Sequence, residues 1–418
     1  MTALREYARD ASIPERAGDA RLRPPVPEEA LALARSVLVL PTGPELVDAT
    51  WEHARWSPHE ACTALFRVAT SDGRELRLCV ERRAHARGRA IRAGQDARLA
   101  DVLPGLRPLA ELADGTLIWW FPADRALPGA RRLHDLSRTR RLLASSATFA
   151  GLTIRGRHSR LALLRYKPGQ RAVMELAVAV RDADDVRSEV RLAVRALPPR
   201  KAQHLLVARA ACRASAALGP RIVAHEERSG LVFEEWLAGH TAAPEDFTDV
   251  CDVARMLAEL HAEMAPGPML RDGAEFLDPL AVDPRLWTRA QGLASRRLPR
   301  ADAAVWIHGD LHPDQVLRRA DGSKTLLDWD ALRPGERVED LASWWVDALV
   351  AGADGDGVLD ALLQAYASCG GRPPERTSLR AWAAHGLVRR AAAAIRRIEA
   401  GALDEAARLL DLAEEIAP

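Results

Sequence analysis

Two short stretches in the C-terminal half carry residues able to do chemistry. The first is Trp306-Ile307-His308-Gly309-Asp310-Leu311-His312-Pro313-Asp314-Gln315-Val316-Leu317. The second is Leu326-Leu327-Asp328-Trp329-Asp330, an apolar run that ends in carboxylates. A carboxylate such as Asp310 can orient a hydroxyl and accept its proton. A second carboxylate and an amide oxygen can hold magnesium, which prefers hard oxygen donors and keeps part of its water. Transfer of a phosphoryl group to an alcohol needs these parts, because that reaction depends on positioning and charge stabilisation.

Spacing sharpens this reading. The loop H-R-D-x-x-x-x-N of protein kinases sets its amide metal ligand five positions after its base. Asp310 and Gln315 are five apart, and Asp328 follows a β-like run thirteen residues further on. His308-Gly309-Asp310-Leu311-His312 with Gln315 resembles the HGDxHxxN motif of aminoglycoside phosphotransferases, choline kinases and related small-molecule kinases. Leu327-Asp328-Trp329-Asp330 resembles their Ile-Asp-Trp-Asp, and Glu339-Asp340-Leu341-Ala342 the Asp-Leu-Ala that follows. Gln315 in place of Asn is similar to the maltokinases.

The resemblance spans roughly residues 155–400 and implies an α+β, protein-kinase-like fold of two lobes. The small lobe is β-rich and the larger one helical. ATP and Mg2+ are the implied cofactors, with a small-molecule acceptor among the C-terminal helices. It implies Asp310 and His308 as catalytic residues, His308 more as a residue that fixes the loop. Gln315 and Asp328 are the implied metal ligands. Lys167 and Gln170 fall in the hairpin turn that covers the phosphates. Glu235, Trp236 and Leu237 fall in the hinge strand that binds adenine. Leu257-Ala258-Glu259-Leu260-His261 matches the helix before the catalytic loop.

One departure stands out. Leu192-Ala193-Val194-Arg195, read against Val-Ala-Ile-Lys, carries arginine where the family has its phosphate-binding lysine. The helix expected next, 202–218, has no acid to pair with it. Arginine stays charged and can fork onto phosphate oxygens, so Arg195, Lys167 or Lys201 can take the lysine's place and Arg195 needs no acidic partner. The alternative is a pseudokinase, a nucleotide-binding or scaffolding chain that lost catalysis. For the acceptor, Trp344 and Trp345 are either core or a stacking face for a sugar. Asp330, Glu336 and Glu339 would favour a cationic acceptor.

The surrounding elements follow from pattern. Residues 1–150 read as an added module, 151–240 as the kinase-like small lobe with its hinge, and 241–418 as the helical lobe. In the module, 1–25 reads as a loose arm, 28–38 as a helix, 62–69 and 75–81 as a hairpin, and 117–121 as a strand. An amphipathic helix is expected over 131–143. The stretch 82–98, with five arginines between Arg82 and Arg92, reads as a solvated helix face or a nucleic-acid contact. Strands are expected at 161–166, 171–180, 188–197, 221–224 and 231–235, and helices from 246 onward apart from 305–330. Trp56-Ser57-Pro58-His59-Glu60 weakly resembles Tyr166-Lys167-Pro168-Gly169-Gln170, as a duplicated sheet would.

Composition bounds the rest. The chain has 418 residues, a formal charge of +1 and only three lysines among 59 basic residues. Such a balance makes no case for nucleic acid or a membrane surface as a partner. No apolar run nears the roughly 18 residues of a membrane span, and five cysteines without a Cys-x-x-Cys pair read as free thiols in a reducing compartment. The expected location is the cytoplasm.

Overall fold

The computed structural model describes residues 13–16, 18, 20–84, 99, 103–112, 114–155, 158–266, 274–299 and 304–418. Most of the 82–98 stretch and residues 1–12 of the arm lie outside these. An antiparallel sheet opens the chain: β1 (Leu46–Ser57), β2 (Ala61–Thr70), β3 (Glu75–Arg83), β4 (Leu109–Glu111) and β5 (Leu117–Trp120), in the order β1-β2-β3-β5-β4. Alternation along its strands divides its side chains between two cores. Phe66, Leu78, Val80, Ile118 and Trp120 face one side, where the helix Pro27–Val37 packs. Leu65, Cys79, Leu117 and Trp119 face the other and pack on a second sheet.

That second sheet holds β6 (Thr153–Ile154), β7 (Arg160–Lys167), β8 (Arg171–Arg181), β9 (Arg187–Ala196), β10 (Ile222–Glu226) and β11 (Leu231–Glu235). Its path β7-β8-β9-β11-β10 repeats the strand order of the first sheet. The first hairpin of each turns alike. Ser57-Pro58-His59-Glu60 has His59 at φ 58°, and Lys167-Pro168-Gly169-Gln170 has Gly169 at φ 69°. Gln170 N–H donates to the Lys167 carbonyl at 3.0 Å, and proline followed by a left-handed residue is the type II pattern. The weak resemblance in sequence thus has a counterpart in topology.

The larger lobe is helical. Its helices are Phe247–His261, Pro284–Ala294, Arg337–Val350, Gly355–Ser368, Arg376–Arg396 and Ala402–Ile416. Short strands at Val305–Ile307, Val316–Arg318, Lys324–Leu326 and Arg333–Gly335 frame the motif loops. Ile13, Leu22 and Trp56 are buried in this lobe's core, so the described part of the arm is anchored rather than loose.

Two expected helices are interrupted. The 131–143 helix is split into Pro128–Leu133 and Leu136–Ala144, because Asp135 caps the second by accepting from Arg138 N–H. The 202–218 helix splits at Cys212, whose extended backbone separates Pro199–Ala211 from Arg213–Leu218.

Candidate active site

The catalytic-motif loop is held from beneath. Asp340, fully buried on the helix Arg337–Val350, accepts from His308 N–H at 2.7 Å and from Gly309 N–H at 2.9 Å. His261 Nε2 lies 3.2 Å from the same carboxylate, and His261 Nδ1 lies 3.0 Å from the Tyr366 hydroxyl. Burial alone would raise the Asp340 pKa. The hydrogen bond and charge of His261, with His308 and the loop amide, hold it below the ordinary value instead. Gly309 has φ 79°, and a Cβ there would stand 2.5 Å from the Ala331 carbonyl oxygen. Only glycine suits both the angle and the space.

His308 is fully buried, with Nε2 2.8 Å from the Leu327 carbonyl. It ties the loop that carries Asp310 to the segment just before Asp328 and does not open to solvent. Asp310, by contrast, is exposed at the loop's tip. Ser343 Oγ donates to the Leu311 carbonyl at 2.7 Å and fixes the backbone just beyond it.

Gln315 is buried, and its side-chain Oε1 and Nε2 have no hydrogen-bond partner among the described residues. Its backbone carbonyl accepts from Leu327 N–H at 2.7 Å, which sets it beside the Asp328 segment. Asp328 takes a left-handed φ of 60°, a conformation that Asp tolerates better than most residues. The donors here are two carboxylates and one amide. Among the described residues no three His, Cys, Asp or Glu side chains converge into a preformed cage. A partial set of hard oxygens with an unsatisfied buried amide fits magnesium completed by phosphate and water.

Two arginines occupy the same place. Arg195, buried on β9, pairs with Asp330 and lies 3.2 Å from Asp328 Oδ1. Arg171, the first residue of β8, pairs with Asp328 and reaches Asp330 Oδ2 at 3.5 Å. Burial would lift Asp328, but Arg195 and Arg171 hold it down at about 2. Arg195 does have an acidic partner, contrary to the expectation that it would need none. Buried Glu234, on the adjacent strand β11, lies 3.7 Å from it. The helix Pro199–Ala211 instead contributes a cation, Arg209, stacked 5.2 Å from the Trp329 ring.

The residues expected on the nucleotide side lie at the end of β7, in the turn after it, on the helix Pro199–Ala211, and at and just past the end of β11. Lys167 ends β7, and burial followed by repulsion from Arg165 and Arg171 lowers its pKa to about 8; Asp310 and Asp328 pull the other way. Gln170 closes the turn. That turn is also pinned by residues that precede the second sheet. Buried Asp124 accepts from Gly169 N–H and from the Tyr166 hydroxyl, both at 2.7 Å, and Trp119 Nε1–H donates to that hydroxyl at 2.9 Å. Lys201 is exposed on its helix and joins none of these contacts. Glu235 ends β11, where its carboxylate accepts from Arg221 N–H at 2.8 Å; Trp236 packs under Arg191 at 4.4 Å, and Leu237 follows half-buried.

Below Asp310 lies a cavity of about 490 Å³ lined by Gly309, Asp310, His312, Phe276, Trp382 and the basic residues of the helix Arg376–Arg396. Trp344 and Trp345 are not part of it; both are fully buried, and Trp345 Nε1–H donates to the Gly355 carbonyl at 2.7 Å. Trp382 and Phe276 went unnoticed in the sequence, where nothing marks them off from core aromatics.

A family model described as the phosphotransferase enzyme family matches residues 156–382, and the chain belongs to that family. It is a small-molecule kinase, as its motifs foretold. No curated protein sequence matches it. Among solved structures it is similar to a macrolide 2'-phosphotransferase from Brachybacterium faecium, with 21% identity over 68% of this chain and 97% of that one and a TM-score of 0.42. It is also similar to a choline/ethanolamine kinase family protein from Mesorhizobium loti, at 17% identity, 67% and 94% coverage and a TM-score of 0.41. The choline kinase LicA of Streptococcus pneumoniae shows 12% identity, 68% and 98% coverage and a TM-score of 0.42. Among the described residues no helix is long and apolar enough to cross a membrane.

Proposed function

We propose that the chain transfers the γ-phosphoryl group of ATP to a hydroxyl of a small polar molecule in a magnesium-dependent reaction. The observation that carries this is the position of Asp310. It stands at the tip of a pinned loop, within electrostatic reach of Lys167 on one side and lining the 490 Å³ cavity on the other.

In this reading an acceptor in the cavity presents its hydroxyl to Asp310, which takes the proton as the oxygen attacks the terminal phosphorus and ADP leaves. Asp328 and Gln315 hold the metal; when bound, it neutralises charge on the phosphates. Arg195, Lys167 and the turn with Gln170 face the triphosphate, and Glu235, Trp236 and Leu237 flank the base. The pseudokinase alternative drew on the missing lysine–glutamate pair. The Arg195–Glu234 contact supplies a substitute pair from adjacent strands and favours the enzyme.

The acceptor is a sugar or a similar polyol. Trp382 and Phe276 line the cavity, and their rings supply apolar surface on which a sugar ring could pack. A cationic aminosugar or amino alcohol finds less support, because the acids once considered for it are committed. Asp330 is held by Arg195 and Arg171, Glu336 is buried, and Glu339 binds Arg333 at 2.7 Å and Glu336 N–H at 3.1 Å. Incubation with labelled ATP, magnesium and a panel of neutral, acidic and amino sugars, aminoglycosides and amino alcohols tests the proposal. Label transfer that stops without magnesium is expected. A chain unable to bind ATP with magnesium present would overturn it.

Arg195→Ala should weaken ATP binding by about ten- to a hundredfold, since charge-assisted contacts to phosphate contribute about 1.5–3 kcal/mol. Arg195→Lys should recover only part, because a point charge cannot rebuild a fork. Calorimetric titration with ATP reads this, and equal affinities in wild type and the alanine variant would remove Arg195 from the nucleotide site.

A further inference from the structure

Arg171 has no place in the motifs, yet it pairs with both carboxylates of the metal motif. It follows the phosphate-covering turn and crosses from the small lobe to bridge both carboxylates of the metal motif, 157 and 159 positions away in sequence. We infer that Arg171 is a second phosphate-binding cation, which guards the metal carboxylates in the ligand-free enzyme and makes metal binding conditional on the nucleotide triphosphate. The inference rests on the reading of the cleft as an ATP site.

The charges argue for it. Without ligands, Asp328 and Asp330 are balanced by two guanidiniums, Arg195 and Arg171. A divalent cation arriving alone must displace at least one of them. The displaced guanidinium would be left in a half-closed cleft without a counterion, and uncompensated buried charge is costly. A triphosphate removes this obstacle, because its oxygens take the arginine by charge-assisted hydrogen bonds while the metal takes the carboxylates.

Geometry says which arginine moves. Arg195 is gripped from behind by Glu234 and is buried to 5% exposure. Arg171 sits at the strand end beside the turn, and its Nε is buried with no partner among the described residues. It therefore has a donor that no described residue uses, and it lies next to the turn Lys167-Pro168-Gly169-Gln170. Lys167 adds positive charge on the same side, and its repulsion with Arg171 eases the arginine's transfer to an anion.

Mn2+ titration followed by electron paramagnetic resonance, with and without a non-hydrolysable ATP analogue, tests this on the intact chain. Wild type should bind Mn2+ at least about tenfold more tightly once the analogue is present, and the analogue should gain the same factor from Mn2+, since coupling is reciprocal. Arg171→Ala should bind Mn2+ alone about tenfold more tightly than wild type and the metal-free analogue about tenfold more weakly. Arg171→Lys should fall between, and circular dichroism establishes that each variant is folded. Should the alanine variant not fold, Arg171→Gln carries the same expectations. Equal metal-free-analogue and Mn2+ affinities in wild type and the folded neutral variant would overturn this inference alone. A wild-type chain that binds no analogue even with Mn2+ would overturn the ATP reading, and this inference with it.

Discussion

Replacing Asp310 by alanine should lower turnover roughly 10²- to 10⁴-fold, the range for losing a general base, while folding and ATP affinity stay near wild type. The separation of effects follows from where the residue sits. Asp310 is exposed, and no hydrogen bond or ion pair ties it to the described residues. The loop that carries it is fixed by its neighbours, through His308 and Gly309 on Asp340 and through Leu311 on Ser343. An exposed residue free of such ties changes stability by only about ±0.5 kcal/mol. The loss should therefore appear in kcat, with the melting temperature and the calorimetric ATP affinity unmoved. Near wild-type turnover in a working assay would mean that another group positions the acceptor hydroxyl.

Much of this centre was legible in the sequence, because the chemistry confines residue types to short spacings. Asp310, Gln315 and Asp328 lie within nineteen positions of one another, and a glycine between His308 and Asp310 marks a turn. The strands of the second sheet were legible for a related reason, since alternating burial shows in a hairpin such as β7–β8 with its Pro-Gly turn. The first strand, Leu46–Ser57, escaped. Its half-buried middle carries Glu52, His53 and Arg55, and a register shift at Trp51 and His53 breaks the alternation.

What could not be read were partnerships across the fold. The acid facing Arg195 was sought on the following helix, where the family keeps it. The chain instead supplies Glu234 from the neighbouring strand, and a strand's lateral neighbour is set by sheet order rather than by spacing. Arg171 looked like one arginine among many, since its partners are more than 150 positions away. Asp124, which pins the turn Lys167-Pro168-Gly169-Gln170, lay in a segment assigned to the added module.

Asp340 was visible only as part of an Asp-Leu-Ala match, and its removal should have the largest effect on stability. Its carboxylate satisfies two backbone amides of the catalytic loop and meets the ring of buried His261. Taking away one partner of a buried ionic or hydrogen-bonded set costs about 3–5 kcal/mol, so Asp340→Ala should melt several degrees below wild type. The loop would lose its anchor as well, and turnover should fall towards the level of the Asp310 variant. Asp340→Asn separates the two effects. It keeps the size and one acceptor oxygen, and it should restore part of the stability while kcat stays low and ATP affinity holds. A pH series adds an independent readout. The folded-state pKa of Asp340 lies below its ordinary value, so the residue's contribution is complete above the unfolded pKa of about 4. It is lost as pH falls through the folded value. The stability gap between wild type and Asp340→Asn should thus be full at pH 7 and narrow below about pH 4. A gap that stays constant down to the acid transition, together with wild-type turnover in the asparagine variant, would show that Asp340 does not hold the catalytic loop through its charge.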